Sequence, residues 1–156
     1  MANKPIIMPD GVGFGDETLS KYDEGTWTPT LSFGGATTGI TYGAIRYGHY
    51  QRIGNRILFS CYFVLSSKGT ATGAPLVSGL PTAASAENGG VVALEVWTSG
   101  VSRSNHRIQA YKEYGNGNIG LDCIPVNADA SSVVSLTEAN FSATASVMIS
   151  GSYIAG

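Results

Sequence analysis

Apolar residues recur along much of this chain at every second position. Between 141 and 150, Phe141, Ala143, Ala145, Val147 and Ile149 alternate with Ser142, Thr144, Ser146, Met148 and Ser150. That is the period of a strand with one buried and one wet face. Ile57, Phe59, Cys61, Phe63 and Leu65 repeat the pattern, but Leu58, Ser60, Tyr62 and Val64 between them are half apolar. A strand apolar on one side and mixed on the other belongs at the centre of a sheet, with something packed on its second face as well. Ahead of it, Tyr47, His49, Gln51 and Ile53 share a face, and Gly54-Asn55 supplies residues that tolerate the positive φ of a two-residue hairpin. Residues 46–65 therefore predict a central hairpin.

The remaining segments are shorter. Trp27, Pro29 and Leu31 alternate with Thr28, Thr30 and Ser32, a strand that Pro29 assigns to a sheet edge because it cannot donate to a ladder. Gly34-Gly35 turns the chain, and a short strand at Ile40–Tyr42 leads into the hairpin. Further strands are predicted over 75–80, 91–98, 106–114, 119–126 and 133–136, separated by polar or glycine-rich loops at 66–73, 83–90 and 127–132 and by the turn at 115–118. In 106–114, Ile108 and Ala110 face inward and Arg107, Gln109, Tyr111 and Glu113 outward. About nine strands, no helix and no repeat suit an all-β, antiparallel β-sandwich or jelly-roll-like head over 26–156.

Residues 1–25 differ in character. Pro5 and Pro9 forbid helix, and Gly11, Gly13 and Gly15 weaken any autonomous fold. Yet Ile6, Ile7, Met8, Val12, Phe14 and Leu19 are apolar and cannot bury themselves in an extended arm. The expectation is an arm that packs on other copies of the chain or on a larger partner, joined to the head by a polar hinge at 21–25.

Composition narrows the function. At 156 residues the chain is long enough for a core without staples. Charged residues make up 13%, against about 25% for a typical soluble domain, so much of the surface is neutral and suited to burial between subunits. The net charge is −2 and no stretch concentrates Lys or Arg, which argues against a nucleic-acid partner. No apolar run approaches the roughly 20 residues of a membrane span, and no secretion signal is evident; synthesis in a cytoplasm is expected. Cys61 and Cys123 fall in predicted strands and read as buried free thiols.

Candidate chemistry is sparse. Glycan hydrolysis needs two carboxylates at a set separation, whereas Glu95, Glu113 and Asp122 read as unrelated outward positions. No catalytic residue, metal or cofactor is expected: His49 and His106 stand alone in their segments, and three copies of one histidine on a trimer axis would be the exception. Sugar binding asks for an aromatic plate with planar polar groups beside it. Trp97 shares a strand face with Glu95, Arg103 and Asn105 follow in the adjacent loop, and Arg107 and Tyr111 lie outward on the next strand. These six form a candidate carbohydrate site; the competing reading packs Trp97 in the core or at a subunit interface. Trp27 reads as structural.

Several short motifs occur in a set order: Tyr22-Asp23-Glu24-Gly25-Thr26-Trp27-Thr28-Pro29-Thr30-Leu31, Gly34-Gly35, Tyr50-Gln51-Arg52-Ile53-Gly54-Asn55-Arg56-Ile57, Ser67-Lys68-Gly69 with Thr72-Gly73, and Ser78-Gly79-Leu80-Pro81. Upstream stands Pro9-Asp10-Gly11-Val12-Gly13-Phe14-Gly15-Asp16. The series over 9–81 resembles a module of phage tail fibres and tailspikes, where it often forms a C-terminal domain; beyond 81 only the β pattern agrees. The resemblance implies a homotrimeric virion protein of the phage tail, made in the host cytoplasm. It would dock on another tail or baseplate protein through its arm and display β-sandwich heads to a host-surface polysaccharide. Met1 precedes the lead-in closely, so the expectation is a whole fibre reduced to anchor and head. A connector, decoration or capping trimer without receptor binding is the alternative, and a glycan-cleaving spike the third.

Overall fold

A computed structural model describes residues 22–81, 91–102, 106–113, 117–125 and 133–156, together with the strand backbone at 7–8, 11–14 and 17–19. Three short strands, β1 (Ile7–Met8), β2 (Gly11–Phe14) and β3 (Glu17–Leu19), make an antiparallel sheet of their own. The arm is thus a small meander and not one extended ribbon. Of its apolar residues, Ile7, Met8, Val12, Phe14 and Leu19 fall on these strands; Ile6 lies outside the described residues.

The head is a ten-stranded antiparallel sheet: β4 (Tyr22–Trp27), β5 (Thr30–Phe33), β6 (Ile40–Ile53), β7 (Arg56–Lys68), β8 (Pro75–Ser78), β9 (Val91–Val101), β10 (His106–Glu113), β11 (Ile119–Pro125), β12 (Val134–Ser135) and β13 (Phe141–Ile154). The spatial order is β4-β6-β7-β13-β9-β10-β11-β8-β5, with β12 paired to β11. The sheet curls until its two halves face each other. Phe33 on the last strand of that path meets Phe141 on the central β13, with ring centroids 5.1 Å apart and planes at 75°. The two layers expected of a sandwich are therefore one hydrogen-bonded path folded over. β9 is the corner: Val91–Leu94 pair with β10 and Glu95–Val101 with β13. The last strand in sequence, β13, lies at the centre, between β7 and β9.

The expected hairpin is present as β6 and β7, joined through Gly54-Asn55 with Ile53 opposite Arg56. Gly54 has φ +62°. Ile57, Phe59, Cys61, Phe63 and Leu65 are all buried. Trp27 is buried too, its ring edge-on to Phe59. Three sequence expectations change. The 21–25 hinge is replaced by strand β4, which starts at Tyr22 and pairs with β6 from Ile53 to Gly48. The strand expected across Thr26–Ser32 breaks at Thr28–Pro29, and those two residues carry the chain from one edge of the curled sheet to the other. Arg46 holds this crossing: its Nε donates to the Pro29 carbonyl at 2.8 Å and its Nη2 to Thr30 Oγ1 at 2.7 Å. The guanidinium also lies 3.7 Å from the centroid of Tyr42, whose hydroxyl accepts the Leu31 N–H at 2.8 Å. Third, Ala143 is exposed despite its inward phase, because a register shift between Phe141 and Ser146 interrupts the alternation of β13.

Three strand glycines are opposed by aromatic rings. Trp27 lies across from Gly48, Tyr50 from Gly25 and Tyr111 from Gly120. At Gly48 and Gly120 the ring occupies the space a Cβ would need, and at Gly25 the Tyr50 ring comes within 3.0 Å of that position, so an aromatic side chain covers bare backbone.

The inner face also holds Lys112, only 1% exposed, with its Nζ 4.9 Å from the Tyr153 ring centroid. Burial lowers its pKa to about 8, and burial pushes the Cys61 thiol up to about 12. These shifts act on stability with opposite sign. Between pH 8 and 10.5 the unfolded chain carries a proton on Lys112 that the folded chain has lost, so stability rises with pH. From pH 9 to 12 the unfolded chain loses the Cys61 proton that the folded chain keeps, so stability falls. Urea titrations are expected to show a gain of about 1 kcal/mol between pH 8 and 9, a plateau to 10.5 and a fall above it. Lys112→Met should abolish the rise, and Cys61→Ala should lessen the fall, to which Tyr50 with its raised pKa also contributes. A loss of stability between pH 8 and 9 in the native protein would contradict the assignment.

Candidate functional site

The corner at β9 creates the cleft. Beyond the Leu94–Ala110 pair, β9 turns its pairing to β13 while β10 continues along β11, and the two strands part. The wedge between them is a cleft of about 610 Å³ whose lining includes Glu95, Trp97, His106, Arg107 and Gln109. Strand phase dictates which side chains stand outside. Leu94 and Ala110 are buried on the inner face, so Ala93, Glu95 and Trp97 on β9 and Arg107, Gln109 and Tyr111 on β10 project outward. Trp97 is 54% exposed, which removes it from the core.

Of the six candidate sugar-binding residues, the fold brings Glu95, Trp97 and Arg107 to this one cleft. Tyr111 is on the same outer face but further along β10, opposite Ala93 and over Gly120. Arg103 and Asn105 lie outside the described residues. Sequence reasoning missed Gln109 and His106 as lining residues; their outward or loop-proximal phase on β10 was visible, but the parting of β9 from β10 was not.

On the other side of Trp97 the outer sheet face continues. The register sets Trp97 beside Met148, Met148 beside Tyr62, and Tyr62 beside Tyr47. Tyr47 and Met148 are 50% and 44% exposed. The Tyr47 and Tyr62 rings meet edge to face at 6.3 Å, and His49 tilts against Tyr47 at 5.6 Å. The next row along the strands is polar: His49, Ser60, Ser150 and Glu95 are mutual neighbours by the same register. A groove of about 810 Å³ follows this polar side, lined among others by Thr26, His49, Gln51, Ser60, Ser150 and Ser152. At its rim the Tyr50 hydroxyl donates to Asp23 at 3.0 Å, which raises the tyrosine pKa.

Among the described residues no cluster of three His, Cys, Asp or Glu side chains forms a metal site, and no helix is long and apolar enough to cross a membrane. Cys61 is a buried free thiol; Cys123 is on β11, its side chain outside the described set.

No family model matches the chain, and no curated protein matches it. Among solved structures it shares a phage tail-related fold. The likeness is to the crystal structure of Dettilon tailspike protein (gp208), with a TM-score of 0.68 over 86% of this chain at 18% sequence identity. The matched region is 24% of the Dettilon chain, so what is shared is the fold of one part of a longer protein.

Proposed function

We propose that this protein is a phage tail fibre or tailspike component, homotrimeric in the virion, anchored to another tail or baseplate protein by residues 1–25 and attaching to host-surface glycan through its head. The observation that carries the reading is the cleft at β9, where a half-exposed indole stands among Glu95, Arg107 and Gln109. An indole face matches the apolar face of a sugar ring, and planar polar groups beside it match hydroxyls. The likeness to part of a tailspike supports a place in the phage tail. On this reading the head works by contact and not by cleavage, because Glu95, Glu113 and Asp122 read from the sequence as unrelated outward positions and not as a hydrolytic pair.

The test is binding of the purified full chain to bacterial cells and their extracted surface polysaccharides, with Trp97→Ala alongside. The variant is expected to lose roughly tenfold or more in affinity with an unchanged urea midpoint, because Trp97 is outside the core. Equal binding by both proteins would remove the cleft from the reading. Light scattering is expected to give a trimer; a monomer at micromolar concentration would count against the assembly.

A further inference from the structure

The face between Trp97 and Tyr47 has an arrangement that the cleft alone does not need. Its apolar residues form a single row, Trp97, Met148, Tyr62 and Tyr47, running across β9, β13, β7 and β6 at right angles to the strands. Three strand spacings make the row about 14 Å long. Parallel to it, about 7 Å away, runs the row Glu95, Ser150, Ser60 and His49, and on the other side lie Ser99, Ser146 and Val64. The row begins at the cleft and ends at Tyr47.

We propose that this outer face is an extended subsite for a neutral linear polysaccharide, which leaves the Trp97 cleft and lies across the strands with its sugar rings on the apolar row and its hydroxyls on the polar row. The proposal rests on the glycan reading above and fixes the ligand as a chain, its direction on the sheet and its charge class. The apolar row is bordered by Glu95, Ser150, Ser60 and His49 on one side and by Ser99, Ser146 and Val64 on the other, so that at β9 and β13 it runs between polar side chains, a match to a chain of rings that are apolar on their faces and hydroxylated at their edges. The two rows contain one carboxylate, Glu95, and no lysine or arginine. Arg107 stands near Glu95 in the cleft, but beyond the cleft a uronate-bearing chain would meet no lysine or arginine in either row, whereas a neutral chain meets hydroxyl and imidazole donors and acceptors throughout. The groove along Ser60, Ser150 and Ser152 gives the hydroxyl edge of the chain room to settle.

The experiment uses the full chain against size-graded oligosaccharides, neutral and uronate-containing, prepared from bacterial surface polysaccharide. Affinity should rise with chain length until the face is spanned and then level off, with neutral members preferred. Tyr47→Ala and Tyr62→Ala should each weaken the longest oligosaccharides roughly three- to tenfold and leave the shortest unchanged. Ser150→Arg, an exposed substitution that spares the core, should obstruct the polar row with the same length dependence. Trp97→Ala should weaken short and long alike. If Trp97→Ala weakens binding but the two tyrosine variants and Ser150→Arg do not, the extended subsite is wrong and the cleft stands. A preference for uronate-containing members overturns the neutral class. Tyrosine variants that turn a trimer into monomers while retaining long-chain affinity would make the face an interface between copies. Absence of binding to every member would overturn both readings.

Discussion

Gly48→Ala is expected to destabilise the head by about 2–3 kcal/mol, seen as a lower urea midpoint at unchanged slope. Gly48 is buried on β6 directly opposite Trp27 on β4, and the indole stands where a Cβ of residue 48 would be. An added methyl would overlap the five-membered part of that ring. The ring has little freedom to retreat, since it is buried in the core and packed edge-on to Phe59. Its indole N–H has no hydrogen-bond partner among the described residues, so the side chain is held by packing and not by a polar anchor. That makes Trp27→Leu a clean second arm of a double-mutant cycle. Alone it removes ring packing; combined with Gly48→Ala it should recover much of the second loss, giving a coupling of at least about 1 kcal/mol. An unchanged midpoint in Gly48→Ala would mean that the ring does not occupy the glycine.

Arg46→Met is expected to cost a comparable amount, about 2–4 kcal/mol, from two charge-assisted hydrogen bonds and one cation–π contact. The methionine keeps the aliphatic stem, so the difference reports the guanidinium. Its target is the Thr28–Pro29 crossing, where the chain leaves one edge of the sheet and enters the other. Pro29 cannot donate a backbone hydrogen bond, and its carbonyl is held by Arg46. Arg46→Lys should recover little, because an ammonium cannot present the planar fork that reaches Pro29, Thr30 and the Tyr42 ring together. Limited chymotryptic digestion should find new cuts beside the crossing, after Trp27 or Leu31, in both variants. Full stability in Arg46→Met would show that the crossing holds without its clamp.

Local patterns in the sequence were informative where a local rule decides the structure. Gly54-Asn55 between two alternating runs specified the hairpin, and the five apolar residues from Ile57 to Leu65 specified its buried face. The parity of Ile108 and Ala110 correctly turned Arg107, Gln109 and Tyr111 outward. The same parity turns Lys112 inward, against the preference of its charge, and chemistry alone would have placed it outside. Tyr22–Gly25 read as a hinge because it is polar and short, yet it is an edge strand whose partner, β6, lies more than 20 residues away in sequence. Pro29 is incompatible with a ladder, and the strands on either side of it, β4 and β5, are both sheet edges as the proline implies; what the pattern does not show is that they are opposite edges, with a break between them. The candidate surface depended most on information that no window contains. Trp97, Met148, Tyr62 and Tyr47 come from four separate strands, and only the pairing registers make them neighbours. Met148 was the one visible irregularity, an apolar side chain in a row of Ser and Thr.

The placement of β13 has a consequence for how the protein is made. Phe141–Ile154 is the ply on which both β7 and the outer half of β9 are seated. During translation everything ahead of it must wait with Ile57, Phe59, Phe63 and Leu65 unshielded on a half-built face. A ribosome stalled before codon 141 would hold a nascent chain that no lengthening of the pause could bring to the native head, and such a chain should recruit holdase chaperones until the final ply is delivered.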